Sequence, residues 1–328
     1  MRLRIRNAVV LLLAFFLVMR WIPVKVLSAS TKNANEPAPH IKWVDFTISA
    51  AAMREALAAD IATHKTGKTI SWITLLACYA AKNGGNFKSY KNGALTNLAQ
   101  QLKAGKTPQQ LGCTEKLYHY YMEAYTAILG GMVGEYTLDG EKQYGLCAFS
   151  PIARGYSYSH YDDFGASRSY GYKRPHLGHD MLGSIGTPIV AVEGGYVEAV
   201  GWNQYGGWRV GIRSFDGKRY YYYAHLRRDH PYNDLYEGKI VRPGEVIGYL
   251  GMTGYSTKEN VNNINVPHLH FGMQLIFTPS QKDGWNQIWI DLYELTEFLS
   301  AYRSTTRYDA TAKEHYAVHQ VIPEYMPD

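Results

Sequence analysis

The sequence predicts an α+β fold, with a small helical domain at the N-terminal side followed by an antiparallel all-β domain that a last helix closes. Three observations lead there. Apolar residues recur at three- and four-residue spacing up to about residue 135, the helical period. From about 145 the apolar and aromatic runs become short and are divided by glycine pairs, as strands and hairpin turns are. An amphipathic stretch then returns at 291–302. With 46% hydrophobic and 19% charged residues among 328, the chain can bury one or two sizeable cores, which excludes a disordered or fibrous protein.

The first 30 residues stand apart. Ala8 to Met19 form an unbroken apolar run behind Arg2, Arg4 and Arg6, the shape of a secretory signal or a membrane anchor. The run is short for a bilayer span of ~20 residues. Trp21, Ile22, Val24, Val26 and Leu27 nevertheless extend it, and Ser28-Ala29-Ser30 offers small residues for cleavage. Residues 1–30 are therefore expected to be either a signal peptide or an anchor, and both imply export, to the cell wall or to the outer face of a membrane. Five of the 34 basic residues and none of the 28 acidic ones lie in this segment, so the body is close to neutral despite a formal net charge of +6. That balance argues against a nucleic-acid partner. Nothing in the sequence names a protein partner.

A polar, Pro-containing linker is expected at 31–40 and a helical domain at 41–140. Met53, Leu57 and Ile61 share one helix face, as do Leu95, Leu98 and Leu102, and Leu117, Tyr121, Tyr125 and Ile128 mark another helix. Gly84-Gly85 and Gly130-Gly131 are natural stops. The three cysteines, Cys78, Cys113 and Cys147, form no Cys-x-x-Cys pair and do not read as a disulfide framework; Cys78, within WITLLACYAA, reads as a small buried hydrophobe.

In the β domain, expected at 145–303, TPIVAVE, YVEAVGW, WRVGIRS, RYYYYAHL, VIGYLG and HLHFGMQL read as strands, with Gly194-Gly195, Gly206-Gly207 and Asp216-Gly217 as turns. Leu292, Leu295, Phe298, Leu299 and Tyr302 face the core from the closing helix, with Asp291 and Glu294 as capping candidates. Residues 304–328 read as a polar tail.

The chemistry lies in the histidines, seven of which cluster between His160 and His270. In HLGHD, His176 and Asp180 bracket a glycine, so a loop can aim both at one point. In PHLHF, His268 and His270 are two apart, and strand alternation sends both to one face with Leu269 on the other. Imidazole nitrogen and carboxylate oxygen are ordinary zinc donors, and three protein ligands with an open fourth place make a catalytic site, although two histidines and a carboxylate also suit non-haem iron. His179, His160 and His230 read as surface, loop or supporting histidines rather than ligands.

The ordered set HLGHD, GTPIVAVEGGYVEAVG, YYYYAHL, GYLGMTG and PHLHFGM resembles the lysostaphin-like, or LytM-type, zinc endopeptidases that cut peptidoglycan peptides. The resemblance covers about 150–285. It implies one Zn2+ per chain held by His176, Asp180 and His270, and proton transfer by His225 and His268. It also implies an assisting tyrosine upstream of the first ligand, Tyr170, with Tyr172 as rival. The substrate it implies is a peptidoglycan peptide; which bond is cut is left open. A non-catalytic scaffold or wall-binding protein of the same fold is the rival reading, and the role of the helical domain is not indicated.

Overall fold

Four helices open the described part of the chain: α1 (Ala50–His64), α2 (Trp72–Asn83), α3 (Ala94–Lys103) and α4 (Glu115–Leu129). The computed structural model describes residues 44–170, 172–282 and 286–327, so the leader and linker expected at 1–40 lie outside the described residues. Among the described residues no helix is long and apolar enough to cross a membrane. Ser49 and Ser71 start α1 and α2, their hydroxyls accepting from Ala52 N (3.3 Å) and Thr74 N (3.1 Å). Gly93, which starts α3, has no side chain to do this. Glu55 of α1 takes over, accepting from Gly93 N (2.8 Å) and Thr96 N (2.7 Å) and putting a carboxylate at the positive end of that helix. Gly84 ends α2 at φ 60°, where a side chain would be strained.

Met53, Leu57, Leu95, Leu98, Leu102, Tyr125 and Ile128 are buried as their spacing requires, whereas Leu117 is exposed at the start of α4. Helix α2 buries Trp72, Leu75, Leu76, Ala77, Cys78 and Ala80, much of its circumference. Cys78 is not merely a small hydrophobe: it is disulfide-bonded to Cys113, 35 residues on. The bond staples α2 to the segment leading into α4, two elements that sequence spacing does not connect. Cys147 is free and buried.

The strands that follow are β1 (Val133–Leu138), β2 (Glu141–Leu146), β3 (Tyr158–His160), β4 (Ser167–Tyr170), β5 (Tyr172–Pro175), β6 (His179–Gly183), β7 (Pro188–Val190), β8 (Gly195–Asn203) and β9 (Gly207–Ser214). They continue with β10 (Arg219–Ala224), β11 (Ile240–Val241), β12 (Val246–Tyr249), β13 (His268–Leu275) and β14 (Ile288–Trp289). After α5 (Tyr293–Leu299) come β15 (Thr306–Asp309), β16 (Glu314–Ala317) and β17 (Val321–Pro323). The main sheet runs β11-β8-β9-β10-β13-β6-β3, with β14 beside β13, and every pairing is antiparallel. The expected polar tail is structured: β15 and β16 form a hairpin, and β17 pairs with β1. Its residues alternate polar and apolar too briefly to stand out in the sequence, and β17 finds its partner nearly 200 residues away.

The described residues form one compact unit, and one hydrophobic core joins the helices to the main sheet. Arg219 on β10 crosses that core. It donates to Glu193 through Nε (2.8 Å) and Nη2 (2.9 Å), and through Nη1 to the carbonyl of Ala127 in the last turn of α4 (2.9 Å). Tyr221 also donates to Glu193 (2.5 Å). Glu193 and Arg219 are each about 1% exposed, so neither charge is supportable without the other.

The closing helix is shorter than its apolar pattern, ending at Leu299, but Leu292, Leu295, Phe298 and Leu299 are fully buried. Asp291 accepts from Tyr293 N (3.0 Å), as a capping residue does. Glu294 instead accepts from Ala50 N (2.7 Å), so it caps α1 rather than its own helix.

Candidate metal centre

Strands β6 and β13 pair with Asp180 opposite His270. On β13, His268 and His270 share the cleft face, while Leu269 and Phe271 are fully buried on the other. His176 lies in the short loop between β5 and β6. That loop can pass tightly under His270 because residue 178 is glycine: a Cβ there would stand 2.5 Å from His270 Cε1 and 2.6 Å from its Nε2.

The result is a triangle of donor atoms. His176 Nε2 is 3.0 Å from Asp180 Oδ1 and 3.0 Å from His270 Nδ1, and His270 Nδ1 is 3.1 Å from Asp180 Oδ1. Donors at ~2.0–2.2 Å from a tetrahedral zinc stand roughly 3.3–3.6 Å apart, so these three need open by only a few tenths of an ångström to hold one. Two imidazoles and a carboxylate are a suitable donor set, and three ligands leave a coordination place free. Burial raises the Asp180 carboxyl, but bonds from His176 and His270 and the charges of His270 and His268 outweigh it, holding it well below the usual carboxylate range. Burial lowers His270 against the opposing pull of Asp180. The shift of Asp180 favours the carboxylate, the form that ligates.

The outer contacts fix the tautomer of His176. Its Nδ1 donates to the Asp163 carbonyl (3.3 Å) and lies 3.2 Å from Asp163 Oδ2, leaving the Nε2 lone pair on the triangle. Arg168 pairs with the Asp163 carboxylate and reaches Asp180 Oδ2 at 3.3 Å, which leaves Oδ1 as the inward oxygen. Burial lowers the Arg168 guanidinium, but Asp180 and Asp163 raise it overall, so it stays charged.

His225 and His268 flank the triangle without completing it. β10 ends at Ala224, opposite His270, and His225 then takes a left-handed φ of 61°, a strained conformation for a side chain of that size. It is held there by its N–H, which donates to the Gly206 carbonyl (2.7 Å), and by Nδ1, which donates to the Thr253 carbonyl (2.8 Å). His268 Nδ1 likewise donates to the Val266 carbonyl (2.8 Å), and its Nε2 stands 3.7 Å from Asp180 Oδ1. Each ring therefore keeps Nε2 as a free lone pair, and the two ring centroids are 4.8 Å apart. Burial, then the neighbouring His268 and His270, push His225 well below its ordinary value. Gly254 has φ 125°, and a Cβ on it would meet the Tyr205 carbonyl at 2.5 Å and His225 Nδ1 at 3.0 Å, so the GMTG turn has to be small where it backs this ring.

The backbones of Tyr170 and Tyr172 are paired across the β4–β5 hairpin, and their side chains lie outside the described residues. The cleft wall is built instead from residues not singled out in the sequence, Arg174, Tyr205, Tyr222 and Tyr255. Arg174 Nη2 donates to the Tyr255 hydroxyl (2.7 Å), and its guanidinium lies over the Tyr205 and Tyr255 rings at 5.6 and 5.5 Å. The only sequence signal for Asp163 and Arg168 is their place in the polar run between His160 and His176. His179 is buried on the far face of β6 rather than on the surface. Its Nε2 is 2.7 Å from His160 Nδ1, and His160 Nε2 is 2.8 Å from Glu297 of α5. Burial and the His160 charge push His179 down to about 3. His160 lies on β3 rather than in a loop, and exposed His230 pairs with Glu314 of β16.

Residues 174–282 match the family described as Peptidase family M23. The chain is 36% identical over 159 residues to an L-Ala--D-Glu endopeptidase of Bacillus subtilis, covering 48% of this chain and 47% of that protein. It is 39% identical over 97 residues to lysostaphin of Staphylococcus staphylolyticus, covering 29% of this chain and 18% of that one. It thus spans less than half the length of either curated relative. The lysostaphin catalytic domain from Staphylococcus simulans is 30% identical over 43% of this chain and 92% of that domain, with a TM-score of 0.33. A Ruminococcus gnavus structure titled for a glycyl-glycine endopeptidase lytM shares the fold, with a TM-score of 0.57 at 22% identity over 81% of this chain and 92% of that one. The donor set and the strand register that creates it fall within the segment that matches the family model: residues 174–282 carry a Peptidase family M23 domain.

Proposed function

We propose that the protein is an exported zinc endopeptidase that hydrolyses peptide bonds in bacterial peptidoglycan. The observation that carries this reading is the convergence of His176 Nε2, Asp180 Oδ1 and His270 Nδ1 within 3.1 Å of one another, beside two imidazoles whose Nδ1 atoms are tied back to carbonyls. The named relatives support the substrate. They include an L-Ala--D-Glu endopeptidase, a glycyl-glycine endopeptidase and a peptidoglycan DD-endopeptidase, whose scissile bonds differ in charge and stereochemistry.

His176, Asp180 and His270 would hold one zinc ion, which supplies Lewis-acid chemistry: it acidifies water and polarises a carbonyl. The chain has no His-Glu-x-x-His helix to provide a glutamate base, so the proton falls to imidazole. His268 Nε2, a free lone pair beside Asp180, accepts the proton of the attacking water, and His225 Nε2, on the adjoining strand end, relays a proton to the leaving amine. The low basicity of buried His225 keeps it neutral between cycles. Tyr170 is assigned the hydrogen bond to the developing oxyanion. The N-terminal segment would direct export and either be removed or hold the protein at the membrane. A scaffold role would tolerate loss of donors, yet all five cleft residues are present.

The test is digestion of intact peptidoglycan with and without a zinc chelator, with products read by mass spectrometry. New amino termini within stem or bridge peptides, lost on chelation and restored by zinc, are the expected result. Unchanged peptidoglycan with zinc-loaded protein refutes the reading.

A further inference from the structure

A second cavity of about 650 Å³ continues from the metal cleft, sharing Arg174, Tyr222 and His270 with it. Tyr220, Tyr222 and Trp289 give it aromatic walls, and its charged lining residues are Arg174, Arg209, Lys282 and Glu198. Glu198 is already neutralised: Arg213 donates to it through Nε (2.6 Å) and Nη2 (3.1 Å), and Lys282 pairs with it too. Arg209 has no such partner. Among the described residues it makes no ion pair, and its Nη1 is buried without a hydrogen bond; Arg174 Nε is buried and unbonded in the same way. Arg209 lines the cavity together with Tyr220 and Tyr222.

Both arginines are partly exposed, yet each buries one guanidinium N–H with no acceptor, and a bound anion would supply the acceptors that the cavity lacks. The planar fork of arginine matches a carboxylate through two parallel bonds. We propose that Arg209, supported by Arg174, is a carboxylate-recognition subsite that selects peptides bearing a free carboxylate beside the scissile bond over neutral peptides such as oligoglycine. This deepens the peptidoglycan endopeptidase reading and rests on it. The aromatic walls suit the peptide backbone on either side of the anionic residue, and the shared wall at His270 puts that residue next to the reacting bond.

The experiment uses the full-length, zinc-loaded protein and two synthetic peptides identical except that a glutamate carboxylate in one is a carboxamide in the other. Turnover of both is measured for the wild type, Arg209→Gln and Arg209→Lys, with zinc content and melting temperature as controls for folding. Equilibrium binding is measured in a slow-cutting His268→Ala background. The acid is expected to exceed the amide in kcat/KM by roughly 10- to 100-fold, as a charge-assisted bidentate pair warrants. Arg209→Gln should collapse that ratio toward one, in turnover and in binding, and Arg209→Lys should restore part of it. Equal use of acid and amide, or a ratio that Arg209→Gln leaves unmoved, overturns the subsite while leaving the endopeptidase intact. Absence of turnover on any peptidoglycan or peptide refutes the activity itself, and the binding ratio then still reports whether Arg209 reads a carboxylate.

Discussion

Replacing Asp163 with alanine tests orientation of His176, a proposed metal ligand, separately from ligation. In the wild type, His176 Nδ1 has two acceptors on the same residue, the Asp163 carbonyl at 3.3 Å and Oδ2 at 3.2 Å. The substitution removes only the second. Loss of an outer partner of a ligating histidine weakens metal binding by ~10–100-fold, equivalent to ~1.4–2.7 kcal/mol. Because the carbonyl remains, the lower end applies, about 10-fold in zinc Kd. The fold should tolerate the change, since Asp163 Oδ1 is already buried without a partner and its removal relieves an unsatisfied atom. Arg168, released from Asp163, would then lean wholly on Asp180, which adds to the loss rather than offsetting it. Competition against a fluorescent chelator at neutral pH measures the change, with circular dichroism as the folding control. A Kd within about twofold of wild type would show that Asp163 does not orient His176, and a loss as complete as that of Asp180→Ala would make Asp163 a ligand; either result refutes the reasoning.

Alanine at His176, Asp180 or His270 should abolish zinc retention and peptide cleavage together, measured by elemental analysis and turnover on one preparation. His268→Ala and His225→Ala should each keep about one zinc while kcat/KM drops by ~10²–10⁴-fold, and zinc loss from His268→Ala as severe as from His270→Ala would contradict the assigned roles. Arg219→Ala strands the Glu193 carboxylate and the Ala127 carbonyl, so urea unfolding should show a loss of about 3–5 kcal/mol, with helices and sheet unfolding in one transition. Replacing both Cys78 and Cys113 with alanine frees a 35-residue loop in the unfolded chain and should cost about 3–4 kcal/mol, read in the same assay.

The sequence by itself determined the elements whose cause is local. Spacing of two on a strand forces His268 and His270 to one face and Leu269 to the other, whatever the strand packs against. The turns Gly194-Gly195, Gly206-Gly207 and Asp216-Gly217 delimit β8, β9 and β10 because turns need the conformations glycine allows, and the three- and four-residue spacing of Met53 and Leu57 or Leu95, Leu98 and Leu102 marks buried helix faces. Tertiary structure decided what depends on which distant segments meet. Register between β6 and β13 sets Asp180 against His270, and a shift of one residue would turn His270 away from the cleft. Asp163 and Arg168 acquire meaning only when their loop folds over His176. Cys78 finds Cys113, Glu294 caps α1 and β17 joins β1 through pairings with no short-range signature. Arg209 is the sharpest case: the strand pattern shows an arginine among several, and only the packed sheet reveals that its neighbours are aromatic, that the nearby acid already belongs to Arg213 and Lys282, and that its charge is left for something else to meet.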